Sequence, residues 1–177
     1  MYSYIIKELP EVIKSVLPID LGRLGRLRKL SKLRKTAGDC CGIFGHSMGG
    51  HGAISIGLKN PELFKTISAF APICNPMKSP WGQKAFTGYL GTDTKNWEQY
   101  DSSILLKKYN GPPRNILIDQ GTSDSFFKDG ELLPESLQST EKVKVELRMQ
   151  KDFDHSYYFI ATFIGEHFKH HAAVLKK

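Results

Sequence analysis

The sequence predicts an α/β fold with a mostly parallel sheet flanked by helices, on three observations. Short apolar runs alternate with segments of helical periodicity along most of the chain, as in repeated β–α units. The run at 115–119 (NILID) is a continuous apolar strand, as a sheet covered on both faces requires. A chain of 177 residues that is 40% apolar can bury the core of one domain.

The first half of the chain is expected to alternate helices and strands. Apolar residues at helical spacing predict a helix over about residues 3–17, in which Pro10 marks a kink or an early break. A proline then closes this helix. A short strand at 41–44 precedes a helix at 46–59, which an Asn-Pro pair ends, and a buried strand follows at 66–73.

The second half begins with an aromatic-rich stretch at 81–109 that contains helical pieces. After the 115–119 strand, a short helix is expected at 130–140. Apolar and charged residues alternate over 143–149, which is typical of an edge strand with one wet face. A final helix covers 157–175. Its inner face is predicted to consist of Phe159, Ile160, Phe163, Ile164, Phe168 and Leu175.

The net charge of +7 is concentrated in residues 21–39, which hold seven of the 25 Lys and Arg and one of the 18 Asp and Glu. The remaining 18 basic and 17 acidic residues nearly cancel, so nucleic-acid binding is not expected. Leucine recurs there every third residue, which drifts by about 60° per step around an α-helix. We interpret residues 21–41 as a solvated, irregular insert, with a membrane-surface or anionic-partner segment as the alternative.

The cysteine content and the lengths of the apolar runs indicate the cellular location of the protein. No apolar run reaches the roughly 18 residues that a membrane span needs, and the start MYSYIIKELPE lacks signal-peptide features. Cys40, Cys41 and Cys74 are an odd and sparse set that fits reducing conditions. These observations favour a soluble, cytoplasmic protein with no membrane partner.

The most informative motif is Gly45-His46-Ser47-Met48-Gly49, a G-x-S-x-G sequence between a predicted strand and a predicted helix. A serine in this position must sit on a tight, strained turn, and glycines two residues to either side remove Cβ atoms that would clash. The turn presents Ser47 as a nucleophile above the sheet, and the amide of Met48 can donate to an oxyanion. The motif predicts the α/β-hydrolase fold.

In this fold the catalytic acid and base follow the serine along the chain. Asp124 lies in the loop after the 115–119 strand, where catalytic groups collect in open α/β sheets. Asp119 is the rival acid, but it ends the strand itself and fits a structural role better. His155, between the last strand and the last helix, is the predicted general base, whose imidazole Asp124 would orient. A helix-capping or structural histidine is the alternative reading of His155.

The other histidines are weaker candidates. His46 lies inside the motif and can line a substrate pocket, whereas His51 lies one turn into the following helix. His167, His170 and His171 are expected on a solvated face of the final helix. No set of residues has metal-ligand spacing, so no metal is predicted.

Several stretches resemble the S-formylglutathione hydrolase (esterase D) family. They are IFGHSMGGHGA (43–53), SAFAPICNP (68–76), WGQKAF (81–86), GYLGTD (88–93), ILIDQG (116–121) and FDHSYYFIATFI (153–164). The resemblance covers about residues 1–20 and 42–177. The last of these stretches is not shared by esterases in general.

The resemblance implies a cytosolic enzyme that hydrolyses S-formylglutathione to glutathione and formate in formaldehyde detoxification. It also implies activity on simple carboxyl esters, no cofactor and a possible homodimer. The family's nucleophile, acid and base fall on Ser47, Asp124 and His155, with a formyl-enzyme intermediate. Trp81, in the family's WG element, is either a wall of the substrate pocket or a residue of the core.

Three departures from the family pattern bear on activity. Residues 1–177 are expected to form a single partial domain, truncated before the strands and the loop that would supply a second oxyanion donor. Losing such a donor typically costs about 10²–10³ in rate. The basic insert is expected to shorten the strand before Ser47, and 135–142 is a few residues shorter than the helix in the family pattern. The alternatives to an active esterase are an impaired fragment or gene-model variant, and an interaction module that uses the basic segment.

Overall fold

The computed structural model describes residues 1–17 and 41–176. Within them, one sheet of four parallel strands has the spatial order β1-β2-β3-β4. The strands are β1 (Cys41–His46), β2 (Phe64–Phe70), β3 (Arg114–Gly121) and β4 (Val143–Gln150). The α-helices in this part of the chain are α1 (Leu9–Val16), α2 (Met48–Lys59), α3 (Pro80–Leu90), α4 (Ser102–Lys108), α5 (Ser125–Lys128) and α6 (Tyr157–Leu175). None of these described helices is both long and apolar enough to cross a membrane.

Helices α2 and α6 cover opposite faces of the sheet, because neighbouring residues of a strand point to opposite sides. Ile67 of β2 packs against α2 so closely that a Cβ on Gly57 would lie 2.6 Å from its Cδ1 atom. The next residue, Ser68, instead hydrogen-bonds to histidines of α6. This three-layer arrangement confirms the predicted parallel sheet flanked by helices.

Each face has its own apolar core. The cluster on the α2 face consists of Ile54, Leu58, Ile67, Ala69, Cys74, Leu106, Ile116, Ile118, Leu137 and Val143. The cluster on the α6 face consists of Phe70, Ala71, Ile73, Leu132 and Phe159. The buried run predicted at 115–119 therefore contributes to a sheet that is covered on both sides, as its continuous apolar character requires.

The boundaries of the first strands differ from the predicted ones. β1 continues two residues beyond the predicted 41–44 run, so α2 begins at Met48 rather than at residue 46. The residue between them, Ser47, belongs to neither element because it forms the turn. β2 ends at Phe70 rather than at residue 73, because Ala71 has a positive φ of 41°.

The helix predicted at 130–140 is much longer than the one observed, because only a three-residue 3-10 turn, Pro134–Ser136, lies there. The short helix α5 precedes this turn and was not predicted. β4 has partly exposed residues along its length and lies at one end of the described sheet, so its prediction as an edge strand is confirmed.

The N-terminal helix continues through Pro10 instead of breaking there. A π-helical turn, Tyr4–Glu8, leads directly into α1, and Pro10 occupies the first turn of α1, where a missing backbone amide costs least. Leu17 ends the helix and has an extended backbone, as expected for a residue that precedes a proline. The basic segment at 21–39 lies outside the described residues, and Cys41, the last residue of the predicted insert, begins β1.

The prediction that the α6 histidines form a solvated face is wrong. His167 is 0% exposed and its ring stacks on Phe70 at 3.8 Å between centroids. His171 is also buried, and His170 contacts the Ile67 carbonyl oxygen at 3.2 Å through Nε2. The rings of His167 and His171 lie over the sheet because each forms a hydrogen bond with Ser68 Oγ, at 2.8 Å.

The inner face predicted for α6 is only partly correct. Phe159 is fully buried in the second apolar core, and Ile160, Phe163 and Ile164 pack against it. Phe168 is 56% exposed and touches only the half-exposed Phe44 edge-on among the described aromatic contacts. Apolar character alone therefore does not identify the face that α6 turns to the sheet.

Asp119 is the centre of a buried polar network on the α6 face. Its carboxylate accepts hydrogen bonds from Arg148 Nε at 2.7 Å, Gln150 Nε2 at 2.9 Å and His167 Nε2 at 3.0 Å. Arg148 also pairs with Glu166 of α6. These partners join β3, β4 and α6, so the structural role expected for Asp119 agrees with its contacts.

We expect the buried His171 to make stability depend on pH. Burial, with smaller contributions from His170 and His167, lowers the pKa of His171 from 6.5 to about 4. On acidification this histidine therefore binds its proton at a higher pH in the unfolded chain than in the folded one. The free energy of unfolding falls as the pH decreases from 6.5 towards 4, by an amount on the order of 3 kcal/mol.

Urea unfolding at a series of pH values between neutral and mildly acidic conditions measures this dependence. His171→Gln, which cannot titrate, is expected to be less stable at neutral pH but to lose less stability on acidification. Burial also lowers the pKa of His51 and of His170, so a residual slope is expected in the variant. Identical slopes for both proteins would exclude His171 as a source of the pH dependence.

Candidate active site

The predicted nucleophile Ser47 lies on a strained turn between β1 and α2. Its backbone has φ 57° and ψ −119°, a combination that a residue with a side chain rarely adopts. The turn is held by a hydrogen bond from the Ser47 amide to the Phe70 carbonyl oxygen at 2.9 Å, and the Ser47 carbonyl accepts from the His51 amide at 3.0 Å. The sheet and the first turn of α2 therefore maintain the strain together.

The two motif glycines have different roles. A Cβ on Gly45 would lie 2.5 Å from the carbonyl carbon of Gly49, so this position cannot hold a side chain without moving the turn. A Cβ on Gly49 meets nothing within 4 Å. The expectation that both glycines prevent clashes is thus correct for Gly45 and wrong for Gly49. Gly50 is also tightly enclosed, with Pro72 Cβ 3.0 Å from its Cβ position.

We expect Gly45→Ala to lower the free energy of unfolding by about 2 kcal/mol or more, because the clash is with backbone and cannot be relieved by a side-chain rotation. The matched variant Gly49→Ala is expected to be neutral or stabilising by up to about 1 kcal/mol, since alanine favours the helix. Thermal and urea unfolding compare the two. If Gly49→Ala proves the more damaging, the turn is not arranged as described.

Asp124 and His155 form a close pair at the carboxyl end of the sheet. The Asp124 side chain is 0% exposed and its Oδ2 atom lies 2.6 Å from His155 Nδ1, whereas the His155 side chain is 18% exposed. The amides of Phe126 and Phe127 donate to the other oxygen, Oδ1, so Asp124 also caps α5. The short loops after β3 and β4 bring the two residues together.

The Asp124 carboxylate is stabilised as an anion. Burial acts to raise its pKa, but hydrogen bonds from His155 and Gln120, together with backbone donors, outweigh burial and lower the pKa of Asp124. An ionised, immobile carboxylate at Nδ1 holds the imidazole with its Nε2 atom free to exchange a proton. This chemistry matches that of a general base oriented by an acid.

The predicted oxyanion donor Met48 is the first residue of α2. Amides in the first turn of a helix have no acceptor within the helix, so the Met48 amide is available beside Ser47. The dipole of α2 adds positive potential at the same place. The Met48 side chain is exposed.

Aromatic rings surround the imidazole of His155. The His46 ring lies 4.3 Å from it between centroids, and the Phe126 ring lies 4.8 Å from it, edge-on. Trp81 stacks on Phe126 at 6.4 Å, and Tyr157 lies 6.3 Å from His46. The structure therefore brings both predicted pocket residues, His46 and Trp81, to the surroundings of His155.

The environment of these two pocket residues differs. Trp81 is 45% exposed and its amide donates to Glu131 Oε2 at 3.0 Å, so it is not a core residue. His46 is half-buried, and its Nε2 atom is buried without a hydrogen-bond partner among the described residues. Burial, and then the neighbouring His155, lower the pKa of His46, so its ring is neutral at neutral pH.

Sequence reasoning missed two residues at this site. Phe126 contacts the His155 ring and donates its amide to Asp124, and Gln120 hydrogen-bonds to Asp124 from β3. The sequence positions of both, two residues after and four before Asp124, were a signal, because residues so near in sequence can reach the same carboxylate. His51 contacts Ile73 and Ser102 instead, away from His155.

The part of the chain that the structure describes contains no group of three or more His, Cys, Asp or Glu side chains able to hold a metal ion.

A family model described as "Putative esterase" matches residues 3–170. The chain belongs to this esterase family. Its match extends over α1 and every strand of the described sheet, and it includes the Ser47 turn and the Asp124–His155 pair. The α/β-hydrolase fold predicted from the G-x-S-x-G motif is therefore confirmed.

Two similar relatives and one similar solved structure are all S-formylglutathione hydrolases. The chain is 49% identical to an S-formylglutathione hydrolase of Bos taurus and 46% identical to one of Arabidopsis thaliana, in each case over 99% of this chain and 57% of the relative. A solved S-formylglutathione hydrolase from Agrobacterium tumefaciens superposes with a TM-score of 0.81 at 42% identity, over the same shares of the two chains. The chain thus spans somewhat more than half the length of these relatives.

Proposed function

We propose that this chain carries the Ser47, His155 and Asp124 machinery of a serine hydrolase that cleaves S-formylglutathione to glutathione and formate, with activity on simple carboxyl esters. The observation that carries the proposal is the 2.6 Å contact between Asp124 and His155 in the same structure as the strained Ser47 turn. The names of the relatives support the choice of substrate.

The first half of the proposed reaction forms a formyl-enzyme. Ser47 Oγ attacks the thioester carbonyl carbon while His155 Nε2 takes the hydroxyl proton, and Asp124 stabilises the imidazolium through Nδ1. The amide of Met48 donates to the oxyanion. The C–S bond then breaks, and glutathione leaves as a thiolate that takes the proton from His155.

The second half releases formate. A water molecule gives one proton to His155 Nε2 and attacks the formyl carbon, which again forms an oxyanion opposite the Met48 amide. The bond between the carbon and Ser47 Oγ breaks, and His155 returns its proton to the serine. The formic acid that is released loses its remaining acidic proton to water and becomes formate. The half-exposed aromatic side chains of Trp81 and Phe126 would form one wall beside the acyl group.

The chain should hydrolyse S-formylglutathione and p-nitrophenyl acetate, and a fluorophosphonate probe should attach to it at one serine. Peptide mapping of the labelled protein is expected to identify Ser47, because its strained turn lies at the carboxyl end of β1, the edge of the sheet at which the Asp124–His155 pair also lies. A label on another serine, or turnover without any sensitivity to the probe, would contradict the proposed nucleophile.

A catalytically impaired chain is the second candidate, favoured by the small number of oxyanion donors among the described residues. One amide next to Ser47, that of Met48, is identified as an oxyanion donor in the described residues, and a missing second donor would cost about 10²–10³ in rate. Cooperative melting without labelling of Ser47 would favour this candidate. Labelling together with turnover would exclude it.

Further properties of the family belong to the same proposal. The family resemblance supports a cytosolic location, a homodimer and the absence of a cofactor. A single partial domain with an irregular insert at 21–41 is likewise proposed from the sequence. Salt-sensitive binding to nucleic acid or anionic vesicles that requires residues 21–39 would instead indicate an interaction role for the basic segment.

A further inference from the structure

Gln120 contacts the same carboxylate oxygen as His155. The Gln120 side chain lies near the end of β3, is 0% exposed, and places Nε2 3.0 Å from Asp124 Oδ2. His155 Nδ1 reaches this Oδ2 atom at 2.6 Å, while Oδ1 receives the two amides of α5. Gln120 therefore completes a set of four donors around one buried carboxylate.

The orientation of the Gln120 amide follows from charge. Its Nε2 also donates to the Gly121 carbonyl oxygen at 3.1 Å, so both amide protons face acceptors. Rotating the amide by 180° would place Oε1 against the Asp124 carboxylate, and two acceptors would repel. The amide group is thus held in one orientation by the oxygen atoms around it.

This orientation has a cost that stability alone does not explain. Gln120 Oε1 is buried and has no hydrogen-bond partner in the described part of the chain. A buried acceptor without a partner is unfavourable, and an apolar side chain of similar length would avoid the loss. A residue that keeps its amide here at a cost in stability points to a role at the Asp124–His155 pair.

We propose that Gln120 is a positioning residue, whose amide fixes the Asp124 carboxylate so that Oδ2 stays aligned with His155 Nδ1. Its kinetic consequences rest on the proposed function, but its effect on the pair does not. Because its amide donates to Oδ2, Gln120 also partly neutralises the carboxylate and so weakens the attraction between Asp124 and the imidazolium form of His155. Two other titratable groups, His46 and Asp154, also interact electrostatically with the pair. Both residues are retained in every variant that tests the proposal.

Gln120→Met removes the donor while keeping the length of the side chain. We expect kcat for p-nitrophenyl acetate to fall about tenfold with little change in KM, because Gln120 orients Asp124 and does not line the pocket. The acid limb of the pH–kcat/KM profile should move to higher pH, because an Asp124 with one donor fewer stabilises the imidazolium more strongly. An unmoved acid limb would overturn the proposal.

Gln150→Met is the matched control. Its amide also donates to a buried carboxylate, at 2.9 Å, but that carboxylate is Asp119 on the opposite face of the sheet. A comparable loss of thermal stability is expected, with kcat and the acid limb unchanged. If both variants change the acid limb equally, the role of Gln120 is only structural and the proposal fails.

A proton NMR experiment tests the inference without any need for turnover. In a Ser47→Ala background, the Nδ1 proton of His155 in its short hydrogen bond should give a far-downfield resonance. Gln120→Met should shift or broaden this resonance, and Gln150→Met should leave it unchanged. Gln120→Glu, nearly identical in size, should perturb it at least as strongly, because it replaces the donor with an acceptor.

The NMR result separates two kinds of failure. An unperturbed resonance in both Gln120 variants overturns the positioning role, whether or not the chain hydrolyses esters. A perturbed resonance in a chain without turnover supports the positioning role and contradicts the proposed function instead.

Discussion

Ser47→Ala is expected to lower kcat for S-formylglutathione and for p-nitrophenyl acetate by about 10⁶, the size of effect seen when a catalytic serine is removed. Without Oγ no formyl-enzyme can form, and His155 has no hydroxyl proton to accept. Residual hydrolysis would come from the Met48 amide and from substrate binding alone. Steady-state kinetics and fluorophosphonate labelling measure the loss.

Ser55→Ala provides the control for this substitution. Ser55 lies on the same helix, α2, and its hydroxyl contacts only the Gly52 carbonyl oxygen, at 3.2 Å, in the described structure. Its removal should leave kcat within about twofold of the original, since this partly buried hydroxyl contacts only its own helix and no residue proposed for catalysis. Equal turnover by the Ser47→Ala protein and the unmodified chain would reject Ser47 as the nucleophile.

Asp124→Asn is expected to lower kcat by about 10⁴ while leaving the fold intact. Asparagine can still accept the amides of α5, so the helix cap is retained. The negative charge is lost, however, and an amide NH₂ group facing His155 Nδ1 would favour the tautomer that places the proton on Nε2. That tautomer cannot accept a proton from Ser47.

Asp119→Asn separates the two aspartates of this region. Asp119 binds Arg148, Gln150 and His167 on the α6 face, so losing its charge should cost about 3 kcal/mol of stability while kcat changes only a few-fold. Unfolding and kinetics measured on the same preparations distinguish the variants. If Asp119→Asn abolishes turnover in a stably folded protein and Asp124→Asn does not, the assignment of the acid is reversed.

The elbow shows how much a short segment specifies. The backbone strain of Ser47 and the need for glycine at position 45 arise from a strand, a turn and a helix that are adjacent in sequence. Such features can be predicted from a motif because the interacting atoms lie within a few residues of each other. Gly49 is the exception, because whether a Cβ has room there depends on what surrounds the helix.

The positions of Asp124 and His155, each in the loop after one of the last two strands, were also sufficient to select the two residues that form a pair. Parallel strands place all of their carboxyl ends at one edge of the sheet, so loops after β3 and β4 must be neighbours. The distance of 2.6 Å between Asp124 and His155 required only that each loop be short.

The α6 histidines could not be placed from sequence. A histidine at helical spacing suits either water or a buried polar partner, and the choice depends on Ser68 and Asp119, which lie about a hundred and about fifty residues away in sequence. The same applies to Phe168, whose apolar side chain points away from the cores. Sequence periodicity identifies a face, but the tertiary partners decide which face is inside.

The sequence by itself therefore determined the class of fold, the family and the three residues proposed for catalysis, because each depends on local spacing or on strand order. Only the tertiary structure decided what surrounds them: the Phe126 and His46 rings beside His155, and the Gln120 amide on Asp124. The ring contacts join side chains from separate strands and loops, so their geometry depends on the packing of the sheet. Gln120 lies only four residues before Asp124, so its position was a local signal, but the buried contact between the two side chains was decided by the tertiary structure.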